Sequence, residues 1–126
     1  MAEIKFYRCN HCGNIVAVIN DGGPVPVCCG EPMELLVADS TDAATEKHVP
    51  VVTREGDKLT AHIGSVDHPM LKEHYIQWIA VAYEGSVALT YLKPGDVPEA
   101  TFDVPAGKDV TVYEYCNVHG LWKAEA

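Results

Sequence analysis

The chain has 126 residues, 48% hydrophobic and 21% charged, a balance that belongs to a folded globular protein and excludes a disordered one. Its formal net charge of −9 argues against nucleic acid or an anionic membrane surface as partner. No apolar run approaches the ~20 residues that cross a bilayer.

The N-terminus, Met1-Ala2-Glu3-Ile4-Lys5, has no basic stretch followed by an apolar one, so the expected compartment is the cytoplasm. Five cysteines in such a chain read better as metal ligands than as disulfides. Their number is odd, and four of the five fall within the first 29 residues.

Ile4 to Arg8 reads as a short strand leading into Cys9-Asn10-His11-Cys12-Gly13. An apolar run, Asn14 to Ile19, is followed by the turn Asn20-Asp21-Gly22-Gly23-Pro24 and then by Val25 to Val27 and Cys28-Cys29-Gly30. The spacing Cys-x2-Cys-x15-Cys-Cys brings four sulfurs to one ion. A segment this short cannot stabilise itself by burial alone, so a metal accounts for its folding. Four thiolates suit zinc or iron, and the ligands alone do not choose between them. The adjacent Cys28-Cys29 pair is unlike a zinc ribbon, which places iron ahead. His11, between two ligands, is expected to be an exposed knuckle residue.

Glu31-Pro32 is expected to end the knuckle, and Met33 to Ala38 to connect it onward. Asp39 to Thr45 is polar and small, a linker or a single helical turn. Beyond it the chain alternates. Leu59, Ala61 and Ile63 interleave with Lys58, Thr60 and His62. Tyr75 to Tyr83 is a long apolar strand; Val87, Leu89 and Tyr91 alternate before the turn Lys93-Pro94-Gly95-Asp96. Thr101 to Val104 and Val110 to Tyr115 complete the set. Strands at this spacing without a helical period predict an all-β protein, its second part an immunoglobulin-like antiparallel β-sandwich. The expected division is residues 1–37 and 38–126.

Within the second part, Tyr115-Cys116-Asn117-Val118-His119-Gly120-Leu121-Trp122 places a thiol and an imidazole three positions apart at a strand end. Gly120 can adopt the positive φ that ends a strand sharply. His48 stands two residues before Pro50, His68 directly before Pro69, and His74 at the start of the Trp78 strand. A proline pushes the preceding residue toward extended backbone, which marks His68 as a loop residue. His62 falls on the polar face of its strand and is expected to be solvated. Four imidazoles and a thiolate suit iron, copper or zinc. Five protein ligands on an octahedral ion leave one position free, as a reactive centre requires.

These motifs resemble the desulfoferrodoxins, the two-iron form of superoxide reductase. Cys-x2-Cys-x15-Cys-Cys resembles their N-terminal, desulforedoxin-like FeS4 centre. Glu46-Lys47-His48-Val49-Pro50, His68-Pro69-Met70, His74 and Tyr115-Cys116-Asn117-Val118-His119-Gly120 resemble their catalytic iron domain. The resemblance implies two iron ions, one on Cys9, Cys12, Cys28 and Cys29, the other on His48, His68, His74 and His119 equatorially with Cys116 axial. It implies one-electron reduction of superoxide to hydrogen peroxide without dioxygen release, a rubredoxin-type electron donor, and a homodimer. Lys47 is the implied local cation that attracts superoxide, and Glu46 the carboxylate able to occupy the sixth position of the ferric resting state. The competing readings are a non-enzymatic two-iron electron-transfer protein, a zinc-ribbon interaction module, and dismutase chemistry.

Overall fold

Alternating β-branched and aromatic residues pack well on a pleated surface, and strand is accordingly the dominant regular structure of the chain. The computed structural model describes residues 3–41 and 43–126. These form two compact units, Ile4–Val37 and Ala38–Ala126, the latter with Glu3.

In the smaller unit, β1 (Phe6–Arg8) pairs antiparallel with β2 (Ile15–Ala17) on one side and β5 (Glu34–Leu35) on the other. Glu31-Pro32, expected only to end the knuckle, instead forms β4, which pairs with β3 (Val27–Cys28). Pro32 is tolerated because the hairpin has two strands and therefore only edges. The buried cluster amounts to Tyr7, Cys9 and Met33, with Val18 and Cys28 packed against it. So small a core needs a further staple.

The larger unit opens with one helical turn, α1 (Thr45–His48), followed by β6 (Pro50–Glu55), β7 (Lys58–Ile63), β8 (Ile76–Tyr83), β9 (Ser86–Tyr91), β10 (Glu99–Asp103), β11 (Val110–Cys116) and β12 (Gly120–Glu125). Two antiparallel sheets, ordered β10-β7-β6 and β12-β11-β8-β9, make a seven-stranded sandwich of immunoglobulin type. Between them lie Leu59, Ala61 and Ile63 of β7, Ala100 and Phe102 of β10, Ile79 and Val81 of β8, and Val110, Val112 and Cys116 of β11. Cys116 is thus the last inward-facing residue of a strand whose every residue is buried.

The register of β8 against β11 slips by one residue at its start. Tyr115 faces Trp78, but Cys116 faces Ile76, leaving Gln77 over as a bulge. The extra residue reverses the phase of the strand, so that Ile76 and Ile79 both reach the core. The bulge lies at the end of the sandwich where Cys116 sits.

Candidate metal centres

The first cluster is built by two knuckles. Cys9 and Cys12 follow β1, and Cys28 and Cys29 close β3. Two adjacent cysteines can turn to one point only if the chain reverses between them. Cys29 does this at φ 53, a left-handed conformation that costs a non-glycine residue roughly 1–2 kcal/mol. Gly13 and Gly30 follow at φ 82 and 77.

The Sγ atoms of Cys12 and Cys28 stand 3.7 Å apart, and those of Cys28 and Cys29 3.9 Å. Sulfurs at about 2.3 Å from a common tetrahedral ion are spaced by about 3.8 Å. The Cys12 amide aims at Cys9 Sγ from 3.5 Å, and amide hydrogen bonds of this kind pull the Cys9 thiol down to about 6. Sulfur neighbours Cys9 and Cys12 push Cys28 up to about 12. Four thiols this close cannot all ionise beside one another without a cation, which is the condition that a bound metal satisfies. All five cysteines are free of disulfides. His11 is exposed and pairs with Glu31 at 3.0 Å.

The second cluster gathers at the bulged end of the sandwich. His48 is the last residue of α1, His68 lies in the β7–β8 loop, and His74 immediately precedes that bulge region. Cys116 ends β11, and His119 stands in the three-residue turn before β12. One ligand atom from each of the five lies within 4.8 Å of all the others.

The imidazoles close a ring. Centroids are 4.7 Å apart for His48–His68, 4.8 Å for His68–His74, 5.1 Å for His74–His119 and 4.8 Å for His119–His48, each pair edge to face.

Hydrogen bonds fix which nitrogens face inward. His48 Nδ1 is 2.7 Å from the Ala44 carbonyl and His68 Nδ1 is 2.6 Å from the Pro69 carbonyl. A carbonyl only accepts, so both Nδ1 atoms carry the proton and each Nε2 presents a lone pair. Those two Nε2 atoms face one another at 3.2 Å, and His48 Nε2 is 3.1 Å from His119 Nδ1. The buried Nε2 of His74 has no hydrogen-bond partner among the described residues. Facing lone pairs repel unless a cation lies between them, so the donor set fits a metal ion.

Burial reinforces this. It lowers the pKa of His68 to about 4, against the opposing Pro69 carbonyl, and it lowers those of His48 and His74, holding the rings neutral as ligands must be. Burial raises the Cys116 thiol, while the amides of His119 and Val118 oppose it; the His119 amide is 3.4 Å from Sγ.

Supporting contacts that sequence reasoning did not single out surround the ring. Trp122 stacks on His48 at 4.9 Å and donates its indole N–H to the His119 carbonyl at 3.1 Å. Asn117 bonds to the peptide groups on either side of His74. Glu114 is fully buried two residues before Cys116, and burial pushes its carboxyl well above the usual range.

His62, expected to be solvated, is held between carboxylates: Nε2 lies 2.7 Å from Asp67 and Nδ1 3.1 Å from Glu99. Glu46 and Lys47 are exposed on α1, next to His48. The charge of Lys47 acts on both His48 and His74, whereas Glu46 is held through its backbone carbonyl, which accepts from Val66 N–H at 3.0 Å.

A seven-stranded sandwich with a buried histidine-cysteine cluster, preceded by a four-cysteine unit, defines a protein with two metal centres. The desulfoferrodoxin family model matches residues 40–125, and the model of the desulfoferrodoxin N-terminal domain matches residues 2–36. The chain belongs to the desulfoferrodoxin family.

It is 49% identical to the desulfoferrodoxin of Nitratidesulfovibrio vulgaris over 124 residues, 98% of either chain. It is 36% identical to a superoxide reductase of Pyrococcus horikoshii over 104 residues, covering 68% of this chain and 90% of that one. The crystal structure of the superoxide reductase from Treponema pallidum superposes with a TM-score of 0.78 at 33% identity, over 97% of this chain and 98% of the other. The four-cysteine group and the four-histidine, one-cysteine group are the chain's two iron sites. No helix among the described residues is long and apolar enough to cross a membrane.

Proposed function

We propose that the protein is a superoxide reductase: superoxide, one electron and two protons give hydrogen peroxide, with no release of dioxygen. The observation that carries this reading is the closed ring of four imidazoles with one buried thiol. His48, His68, His74, His119 and Cys116 would hold a ferrous iron, which would supply the electron and, with five protein donors, could leave room for a small anion. The match to the Treponema pallidum superoxide reductase over nearly the whole length of both chains supports the same activity.

The chain's own residues have distinct tasks in this reading. His48, His68, His74 and His119 present lone pairs without adding charge. Cys116 supplies the single anionic donor, its negative charge stabilised by the amides of residues 118 and 119, and it raises electron density at the centre. Lys47, exposed beside His48, gives a chain of net charge −9 a local attraction for a small anion. Glu46, its neighbour, is the carboxylate available to the open position in the oxidised state. Cys9, Cys12, Cys28 and Cys29 hold the second iron, as a store or relay of electrons or as the staple of the smaller unit.

A rubredoxin-type donor, a homodimeric assembly and a cytoplasmic setting complete the proposal, on the family resemblance. Residues 1–37 and 38–126 serve as the two functional domains.

Product analysis under excess reductant tests the activity. One peroxide per superoxide with no dioxygen is the expected result; dioxygen equal to half the superoxide consumed would mean dismutase chemistry instead.

A further inference from the structure

Three of the hydrogen bonds at the site converge on one residue whose side chain is not a ligand. Asn117 lies in the turn between Cys116 and His119. Its Oδ1 accepts the Tyr75 amide at 2.9 Å, its Nδ2 donates to the Glu73 carbonyl at 3.1 Å, and its own amide donates to the Tyr75 carbonyl at 3.2 Å. Glu73 and Tyr75 flank His74 on either side. One amide therefore grips both peptides around the imidazole, and only one orientation of its oxygen and nitrogen satisfies both bonds.

His74 needs such a hold more than its neighbours do. The rings of His48 and His68 are each fixed by an Nδ1–H bond to a carbonyl, whereas the buried Nε2 of His74 has no hydrogen-bond partner among the described residues. His74 also closes a tight loop on itself. Leu71 and His74 exchange amide–carbonyl bonds of 2.9 and 3.1 Å, which shape the loop but do not tie it to the strands. The tie to β11 and its turn comes through residue 117.

From this geometry we infer that Asn117 is a positioning residue for His74, setting that imidazole against Cys116 and His119 by clamping the backbone on both sides of it. The inference rests on the reading of His74 as an iron ligand. Residue 117 itself is exposed, and exposed hydrogen bonds each contribute little to global stability, so their loss should leave the sandwich folded. Partners that orient a ligand typically change metal affinity by roughly 10- to 100-fold when removed.

The test uses the full chain as wild type, Asn117→Ala, Asn117→Asp and His74→Ala. Asn117→Asp keeps the acceptor for Tyr75 and removes the donor to Glu73. Ferrous iron release from the histidine-cysteine centre to a chelator should quicken about tenfold or more in both Asn117 variants. In the zinc-loaded chain, nuclear Overhauser contacts from the His74 ring to His119 should weaken, while those between His48 and Trp122 persist. Unchanged release, unchanged His74 contacts, or equal loss of contacts at all four histidines would each overturn the positioning role. Should His74→Ala itself leave iron release unchanged, the ligand reading of His74 fails; should it quicken release while both Asn117 variants match wild type, the ligand reading stands and the positioning role alone falls.

Discussion

At the scale of single residues, the ligands were legible because each of them breaks a local pattern. His68 sits before a proline, Cys116 and His119 bracket a strand end, and the four cysteines come in two pairs followed by glycine. The residues that support them carried no such signal. Asn117 acts through contacts 42 to 44 positions away in sequence, and Trp122 acts by stacking on a histidine from another element. Side chains that work through distant backbone are invisible to spacing.

In the proposed function, Lys47 supplies the local attraction for superoxide. Replacing Lys47 with alanine should slow the reaction with superoxide by roughly tenfold, the lower end of electrostatic steering, and should flatten its dependence on ionic strength. Stopped-flow or pulse-radiolysis rates across a salt series check this, and an unchanged slope would remove Lys47 from the account. In the same preparations, Glu46→Ala should move the visible spectrum of the oxidised protein; an identical spectrum would dismiss Glu46 as a ligand of the open position.

Elements explain how five donors from three stretches of chain arrive together: α1, the β7–β8 loop, and the end of β11 with its turn. The alternation of β7 and β11 was readable from their inward residues, and β8 was readable as a long apolar run. Strands β6 and β12 were not. The first begins with a proline and presents Val51 and Thr53 outward, and the second, Gly-Leu-Trp-Lys-Ala-Glu, becomes a strand only by pairing with β11 from Cys116–Gly120 to Thr111–Glu125. Tertiary pairing overrode weak local preference there.

The loop from Gly64 to His68 ties α1 to the sandwich. Gly64 has φ +83, and a Cβ placed on it would lie 2.4 Å from the Val66 carbonyl oxygen, 2.8 Å from the Glu46 carbonyl oxygen and 2.9 Å from the Lys47 carbonyl carbon. All three are backbone atoms, which cannot rotate away. Gly64→Ala should therefore displace the segment carrying Lys47 and His48, lower stability by about 1–3 kcal/mol, and weaken iron binding at that centre. Denaturant unfolding with iron quantitation measures both; a variant with wild-type midpoint and iron content would contradict it.

At the loop's other end, His62 joins β7 to Glu99 of β10 and to Asp67, the residue before His68. The hydrogen bond that the His62 ring donates to Asp67, followed by the one it donates to Glu99, raises the His62 pKa above the ordinary value of 6.5, with burial opposing. A raised folded-state value means that this clip contributes its full stability below about pH 6.5 and loses it as pH rises through the higher folded value. Its partners are largely exposed, so the contribution is under about 1 kcal/mol. His62→Gln should lower the melting temperature at pH 6 more than at pH 8.5. Equal losses at the two pH values would contradict the clip.

The whole molecule is two solutions to one problem. The smaller unit buries too little to hold itself and relies on four sulfurs around one ion, whereas the sandwich has an ample core and can spend one end of it on an open site. The proposed division of labour, one centre closed by four thiolates and one left open by four imidazoles and a thiolate, rests on residue types that the sequence displays. What the sequence could not show was the facing of lone pairs at 3.2 Å, which comes from the Ala44 and Pro69 carbonyls fixing the tautomers of His48 and His68.

The decisive measurement is the rate of superoxide loss after a radiolysis pulse, compared between iron-loaded wild type, Cys28→Ser and His119→Ala. If superoxide is reduced at the histidine-cysteine centre, Cys28→Ser keeps the wild-type rate of this first reaction and His119→Ala loses it by tenfold or more, the scale of a lost transition-state contact. A His119→Ala protein that reacts at the wild-type rate, or a Cys28→Ser protein that does not react, would move the chemistry away from that centre and contradict the account.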